Sequence, residues 1–265
     1  MKTWIGLMQS EKKFLHDIDD SDSDLFDMGN YRVGYFISRS ISKETKKNED
    51  CLFYKSKGDV FTFGVADGAG GHPRGRDASF IAGNEVLESK LSGAIELIES
   101  INDKIMDLKA GAKTTIAFGQ IKQDQVRFHT VGDSEILFWN AHGSLLYCSI
   151  PHSNIGHEIR AGLISQEDSL EAPHRNIVNH LLGDEFIRIE ATSSISIKKG
   201  QTLVIGSDGL FDNISHESLT ELIGKGQFDE GFKTLNDLCL KQEEGKWLKD
   251  DDIAFIVIRK TKNDD

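Results

Sequence analysis

The chain has 265 residues and a formal net charge of −12 at neutral pH, a balance that argues against nucleic acid as a partner, because phosphate backbones are bound by basic surfaces. Its length suits one large domain, and no Pro/Ser/Gly-rich linker divides it. Cys51, Cys148 and Cys239 stand far apart, giving neither a disulfide framework nor a zinc-cluster spacing. With no apolar run near the roughly 18 residues of a membrane span, a cytoplasmic protein without membrane contact is expected.

Residues 1–30 read as an acidic leader. Aspartates alternate in "HDIDDSDSDLFD", but the glycine and closing glutamate of a calcium loop are missing, so a solvated acidic segment is expected there. Next come "YRVGYFIS", "CLFY" and "VFTFGVA", rich in β-branched and aromatic residues and separated by short turns, the pattern of antiparallel strands. Apolar residues recur at helical intervals over 77–91 and again over 95–108. Strands return with "TTIAFGQI", "QVRFHTV", "EILFWN" and "SLLYCSI", the last two joined by Ala141-His142-Gly143. A polar, mostly helical excursion is predicted over 157–185. It is followed by strands in "FIRIEATSSISI" and "QTLVIGS", helices near 215–224 and 230–240, and a closing strand "IAFIVIR". Blocks of strands alternating with pairs of helices predict an α+β fold of antiparallel sheets covered by helices.

Acidic residues mark four places where a strand meets a turn: Asp50 in "NEDCLFY", Asp67 in "FGVADG", Asp208 in "LVIGSDG", and Asp251 with Asp252 in "DDIAFIVI". Each alone could be a turn former or a helix cap. Gly68 and Gly209 let the chain turn away tightly after the carboxylate. If the strand ends converge, the carboxylates repel one another unless cations neutralise them. Oxygen-only ligands point to hard ions, Mg²⁺ or Mn²⁺, which in pairs activate water for attack on phosphorus.

The segments "NED", "VADGAGGH", "TTIAFGQI…FHTVGDSEILFW", "HRNIVNHLLG", "LVIGSDGLFDNIS" and "DDDIAFIVI", in this order, resemble the motifs of the type-2C metal-dependent serine/threonine protein phosphatases, the PPM family. The resemblance covers residues 31–260, with 261–265 left as a tail, and "DGAGGH" is similar to the bacterial-type version of its motif. It implies a four-layer α-β-β-α sandwich that hydrolyses phosphoserine and phosphothreonine on protein substrates. By the same resemblance Asp67 bridges two Mn²⁺ or Mg²⁺ ions. Asp208 and Asp251 complete one site, while Asp50, the Gly68 carbonyl and Glu49 through water serve the other. Asp133 and Asp252 match positions near the site, as neighbours or turn formers, and residues 151–183 match a substrate-facing flap.

The sequence also departs from the family. Thr45 stands where many members carry a phosphate-gripping arginine, leaving Lys46 and Lys47 as the nearby cations, Lys46 being the candidate phosphate contact, although a lysine cannot reproduce a bidentate contact. Ala69 replaces a proton-donating histidine found in some relatives, so His72 is the candidate acid. Arg74 is a candidate phosphate contact, with Arg76 beside it. Ala110 falls where some members have a third-metal aspartate, leaving a third ion open. His129 reads as a sheet residue, His152, His174 and His180 as facing substrate or water, and Trp139 and Phe211 as core. These departures motivate a rival reading, a catalytically weak signalling module that binds a phosphoprotein. Another is a two-metal phosphatase for small esters. A monomer is expected.

Overall fold

The computed structural model describes residues 11–41, 47–70, 72–91, 93–170, 172, 177–242 and 249–262. Five strands, β1 (Lys12–His16), β2 (Ser21–Met28), β3 (Tyr31–Ser38), β4 (Cys51–Lys57) and β5 (Val60–Ala66), lead into helices α1 (Gly75–Glu88) and α2 (Ala94–Met106). Then come β6 (Ile116–Lys122), β7 (Gln125–Val131), β8 (Glu135–Trp139), β9 (Leu145–Cys148), α3 (Asn154–Arg160) and α4 (Gln166–Ser169). The chain continues as β10 (Glu190–Ala191), β11 (Ile195–Ser196), β12 (Thr202–Gly206), α5 (Asp208–Phe211), α6 (His216–Leu219), α7 (Phe228–Lys241) and β13 (Ile253–Lys260). A π turn at Thr220–Gly224 prolongs α6.

One sheet runs β1-β4-β5-β6-β7-β10, with β11 also on β7; the other runs β2-β3-β13-β12-β8-β9. The predicted sandwich of two antiparallel sheets flanked by helices is the observed architecture, and β13 shows why. Period-two alternation sends Ala254, Ile256 and Ile258 into the layer between the sheets, and Phe255 and Val257 into the layer under α5–α7. A strand buried on both faces needs the unbroken apolar run that "IAFIVI" supplies. On the other side α1 and α2 press Ala82, Ile98 and Ile101 onto the first sheet around Phe118.

The acidic segment expected to be solvated is instead sheet. β1 pairs with β4 and β2 with β3. A few alternating apolar side chains suffice to seat these strands, because the partner strands supply the rest of each layer. Phe14 packs edge-on against Phe80 at 5.4 Å, and Phe26 meets Tyr54 at 5.2 Å. Asp22 stays at the rim, accepting from the Tyr35 hydroxyl at 3.1 Å and pairing with Lys13. Both are edge strands, where charge discourages pairing with other chains.

Two further expectations change. "FIRIEATSSISI" yields only the two-residue strands β10 and β11, because its hydroxyls engage β7 directly. Thr192 Oγ1 accepts from Phe128 N–H at 3.0 Å and Ser194 Oγ from Arg127 at 2.8 Å. Among the described residues of 157–185, helix is confined to α3 and α4. The returning chain is tied instead by single bridges, Ser153 to Val178 and Thr114 to Leu182.

Candidate active site

Strand pairing brings the acidic stations together. Cys51 lies opposite Ala66 in β4 and β5, so Asp50 and Asp67 leave the first sheet side by side. Gly206 lies opposite Phe255 in β12 and β13, which puts Asp208 and Asp251 at one end of the second sheet. The ends face each other: Ser207, between β12 and Asp208, donates from Oγ to Asp50 Oδ2 at 2.7 Å and accepts from Ala254 N–H at 3.0 Å. Buried Asp252 locks the junction, its two carboxylate oxygens taking the N–H groups of Ser40 and Glu49, each at 2.8 Å.

The two glycines are required by close approach. A Cβ on Gly68 would sit 2.7 Å from the Glu49 carbonyl oxygen, and one on Gly209 only 2.0 Å from that of Asp252. Backbone around Asp67 is pinned as well: its N–H donates to Thr115 Oγ1 at 3.0 Å, and its carbonyl accepts from Thr114 Oγ1 at 2.6 Å. The Asp50 carboxylate and the Asp67 backbone are therefore held by neutral hydroxyls.

A cleft of about 450 Å³ opens over this end. Asp67, His72, Asp133, Asp208, Lys249 and Asp251 are on its wall, with Ile177, Val178 and Leu181 from the returning chain. Burial, then the neighbouring Asp252, Asp251 and Asp208, push the Asp50 carboxyl well above the usual carboxylate range. Burial, then Asp50, Asp208 and Asp251, do the same to Asp67. Asp133 is raised by burial and by Asp208. Burial would raise Asp208 too, but the Lys249 ammonium beside it prevails and holds it low. Lys249 itself reaches Asp208, Asp212 at 3.1 Å and Asp251 at 3.1 Å, and these carboxylates outweigh its burial and raise its pKa. A two-way clasp with Asn213 fixes its backbone: N–H to Oδ1 at 2.9 Å and Nδ2 to the carbonyl at 2.8 Å.

Crowded carboxylates that raise one another, with oxygen donors alone at the centre, fit hard divalent cations such as Mg²⁺ or Mn²⁺. Positive charge delivered there relieves the repulsion and lets Asp50 and Asp67 ionise.

The structure brings Asp50, Asp67, Gly68, Asp208 and Asp251 together, with the Glu49 backbone joined to both Gly68 N–H and Asp252. His72 is exposed on the cleft wall. Arg74 is exposed, pairs with Asp77 at 2.6 Å, and lines a neighbouring groove of about 390 Å³ with Arg76 and His16 instead of the cleft. Lys46, Thr45 and His174 lie outside the described residues. His129 is a buried sheet residue stacked on Phe118 at 4.9 Å. His152, expected to face substrate or water, is buried and accepts from Gly132 N–H at 3.1 Å. Its position beneath the returning chain places it in the packing.

Sequence reading passed over Lys249, Asp212 and Ser207. Asp212 stands four residues after Asp208, one helical turn along "DGLFD", a spacing that could have flagged it. Lys249, beside an aspartate run, reads as an ordinary solvated charge until the fold closes.

A protein phosphatase 2C family model matches residues 39–250. The serine/threonine phosphatase stp of Listeria monocytogenes serovar 1/2a is 30% identical over 178 residues, spanning 60% of this chain and 70% of that protein. The Mycobacterium tuberculosis serine/threonine phosphatase PstP/Ppp superposes with a TM-score of 0.71 at 19% identity, covering 88% of this chain and 99% of that one. A structure of the PstP catalytic domain in complex with two manganese ions gives 0.68 at 18% identity, over 88% and 99%. At these identities the two structures speak for the fold.

Proposed function

We propose that this chain, which belongs to the protein phosphatase 2C family, is a metal-dependent phosphatase that hydrolyses phosphoserine and phosphothreonine esters on protein substrates. The convergence of Asp50, Asp67, Asp208 and Asp251 at facing strand ends, beneath an open cleft, carries this reading.

Asp50, Asp67, Asp208 and Asp251, with the Gly68 carbonyl, would hold two Mn²⁺ or Mg²⁺ ions, whose chemistry is to neutralise phosphate charge and lower the pKa of a water. The remaining work falls to the chain. Ser207 fixes the Asp50 carboxylate, the Thr114/Thr115 pair fixes the Asp67 backbone, and Asp252 keeps the two sheet ends in register. Ile177, Val178 and Leu181 form an apolar wall against bulk water. His72, exposed on the cleft wall, would give the leaving serine or threonine oxygen its proton, and the outer groove with Arg74 would take the rest of the substrate chain. Asp133 and Asp212 extend the carboxylate cluster past Asp208, where a third cation would go. The protein works as a monomer in the cytoplasm, in signalling. Among the described residues no helix is long and apolar enough to cross a membrane.

The test is phosphate release from a phosphothreonine peptide with Mn²⁺, with Mg²⁺ and with chelator. Release should require the metal and fall at least ~100-fold in Asp67→Asn. That variant should stay folded, since the amide has nearly the shape of the carboxyl and leaves the backbone bonds of residue 67 to Thr114 and Thr115 in place. Metal-independent release, or wild-type turnover in folded Asp67→Asn, would overturn the assignment.

A further inference from the structure

On the helix-covered face of the second sheet, three side chains of different donor chemistry meet. Glu135 opens β8, Cys148 ends β9 and His216 opens α6. One carboxylate oxygen, the thiol sulfur and an imidazole nitrogen all lie within 4.8 Å of one another. The register explains the meeting: Cys148 is opposite Leu137, two residues from Glu135, so alternation puts Glu135 and Cys148 on one face. Leu137 and Trp139 pack from that face against Phe211 and Leu219, which flank His216 in sequence and set it over the pair. His216 Nε2 then stands 3.2 Å from Glu135 Oε2. Glu135 is 6% exposed, so its carboxylate is committed to this cluster.

We propose that Glu135, Cys148 and His216 form a second metal site, chemically distinct from the aspartate centre, that takes a borderline divalent ion of the Zn²⁺ class. Sulfur, nitrogen and oxygen donors together select zinc over magnesium or manganese, which prefer oxygen alone. Tetrahedral zinc with bonds of about 2.0–2.3 Å sets its ligand atoms about 3.3–3.8 Å apart. The Glu135–His216 pair is already this close, and the outer limit of the trio closes by side-chain rotation of about 1 Å. The site also touches the catalytic region. Gln166 Nε2 on α4 lies 3.4 Å from His216 Nε2, and a small cavity of about 30 Å³ is walled by Glu135, Gln166, Asp133, Asp208 and Asp212. An ion bound by the trio would brace α6 against the sheet beside the cavity shared with Asp208 and Asp212.

The experiment uses the full chain, stripped with chelator and titrated with Co²⁺ as a spectroscopic stand-in for zinc. A thiolate-to-cobalt charge-transfer band should appear, saturate, and vanish when Zn²⁺ is added. It should be lost in Cys148→Ser and weakened about tenfold or more in affinity in His216→Gln. It should persist in Cys51→Ser and in Asp67→Asn, which keeps this result separate from the phosphatase assignment. No band in the wild type, or a band surviving Cys148→Ser, overturns the proposal. If the serine variant fails to fold, alkylation of Cys148 in the wild type decides: Zn²⁺ and not Mg²⁺ should protect it, and equal labelling with and without Zn²⁺ overturns the proposal.

Discussion

Lys249→Met should lower stability without metal and tighten metal binding. The Lys249 ammonium lies 3.1 Å from Asp212 and 3.1 Å from Asp251, and contacts Asp208, with its side chain only 18% exposed. At an effective dielectric of 20 each 3.1 Å pair has a gross attraction of about 5 kcal/mol. Desolvation offsets most of that, and removing one partner of a buried ion pair costs about 3–5 kcal/mol. Taking the lower figure, at ~2–4 °C per kcal/mol for a chain of this size, melting in chelator should fall by about 6–12 °C. A divalent ion approaching the same carboxylates must first displace the ammonium. Methionine removes that competitor at similar volume, so Mn²⁺ should bind about tenfold tighter, a gain of about 1.4 kcal/mol. Thermal unfolding in chelator and isothermal titration with Mn²⁺ read the two effects separately, and Lys249→Arg, which keeps the charge, should show neither. Unchanged or weaker Mn²⁺ binding in Lys249→Met would mean that the lysine supports the ion instead of competing with it.

Gly209→Ala places a methyl 2.0 Å from the Asp252 carbonyl oxygen. Relief must move Asp208 or Asp252, so about 1–3 kcal/mol of stability should be lost in urea unfolding, with turnover falling by more than ~10-fold; an active, fully stable variant would contradict the packing described. Burial lowers His129 from its ordinary 6.5 to about 4. The unfolded chain therefore takes up this proton first, and the neutral ring's contribution is lost as pH falls from about 6.5 towards 4, reaching about 2 kcal/mol at pH 5. His129→Phe, which keeps the stack on Phe118, should match the wild type near pH 7.5 and exceed it by about that amount at pH 5. Parallel stability profiles for the two proteins would show that the buried imidazole is not a source of acid sensitivity.

Features that depend on near neighbours along the chain are legible in the sequence itself. β3 follows the alternation of "YRVGYFIS" and β13 the unbroken apolar run of "IAFIVI". Asp-Gly at the ends of two strands marks Asp67 and Asp208, because a tight turn after a carboxylate leaves its signature within two residues. Ser215, a residue type suited to a helix start, caps α6, its Oγ accepting from Ser218 N–H. The acidic segment that forms β1 and β2 escapes this reading because an edge strand draws its stability from a partner strand, and its own alternation carries only a few apolar residues.

Tertiary structure alone decided the rest. Lys249 and Asp208 are separated by 41 positions and Ser207 and Asp50 by 157, and nothing local distinguishes that lysine from a solvated one. Glu135, Cys148 and His216 show no motif spacing, yet β8–β9 register and the seating of α6 put their donor atoms within 4.8 Å. Period and turn chemistry act over a few residues and are written in the sequence. Charge compensation and metal affinity depend on distances across sheets, set only when the whole core has packed.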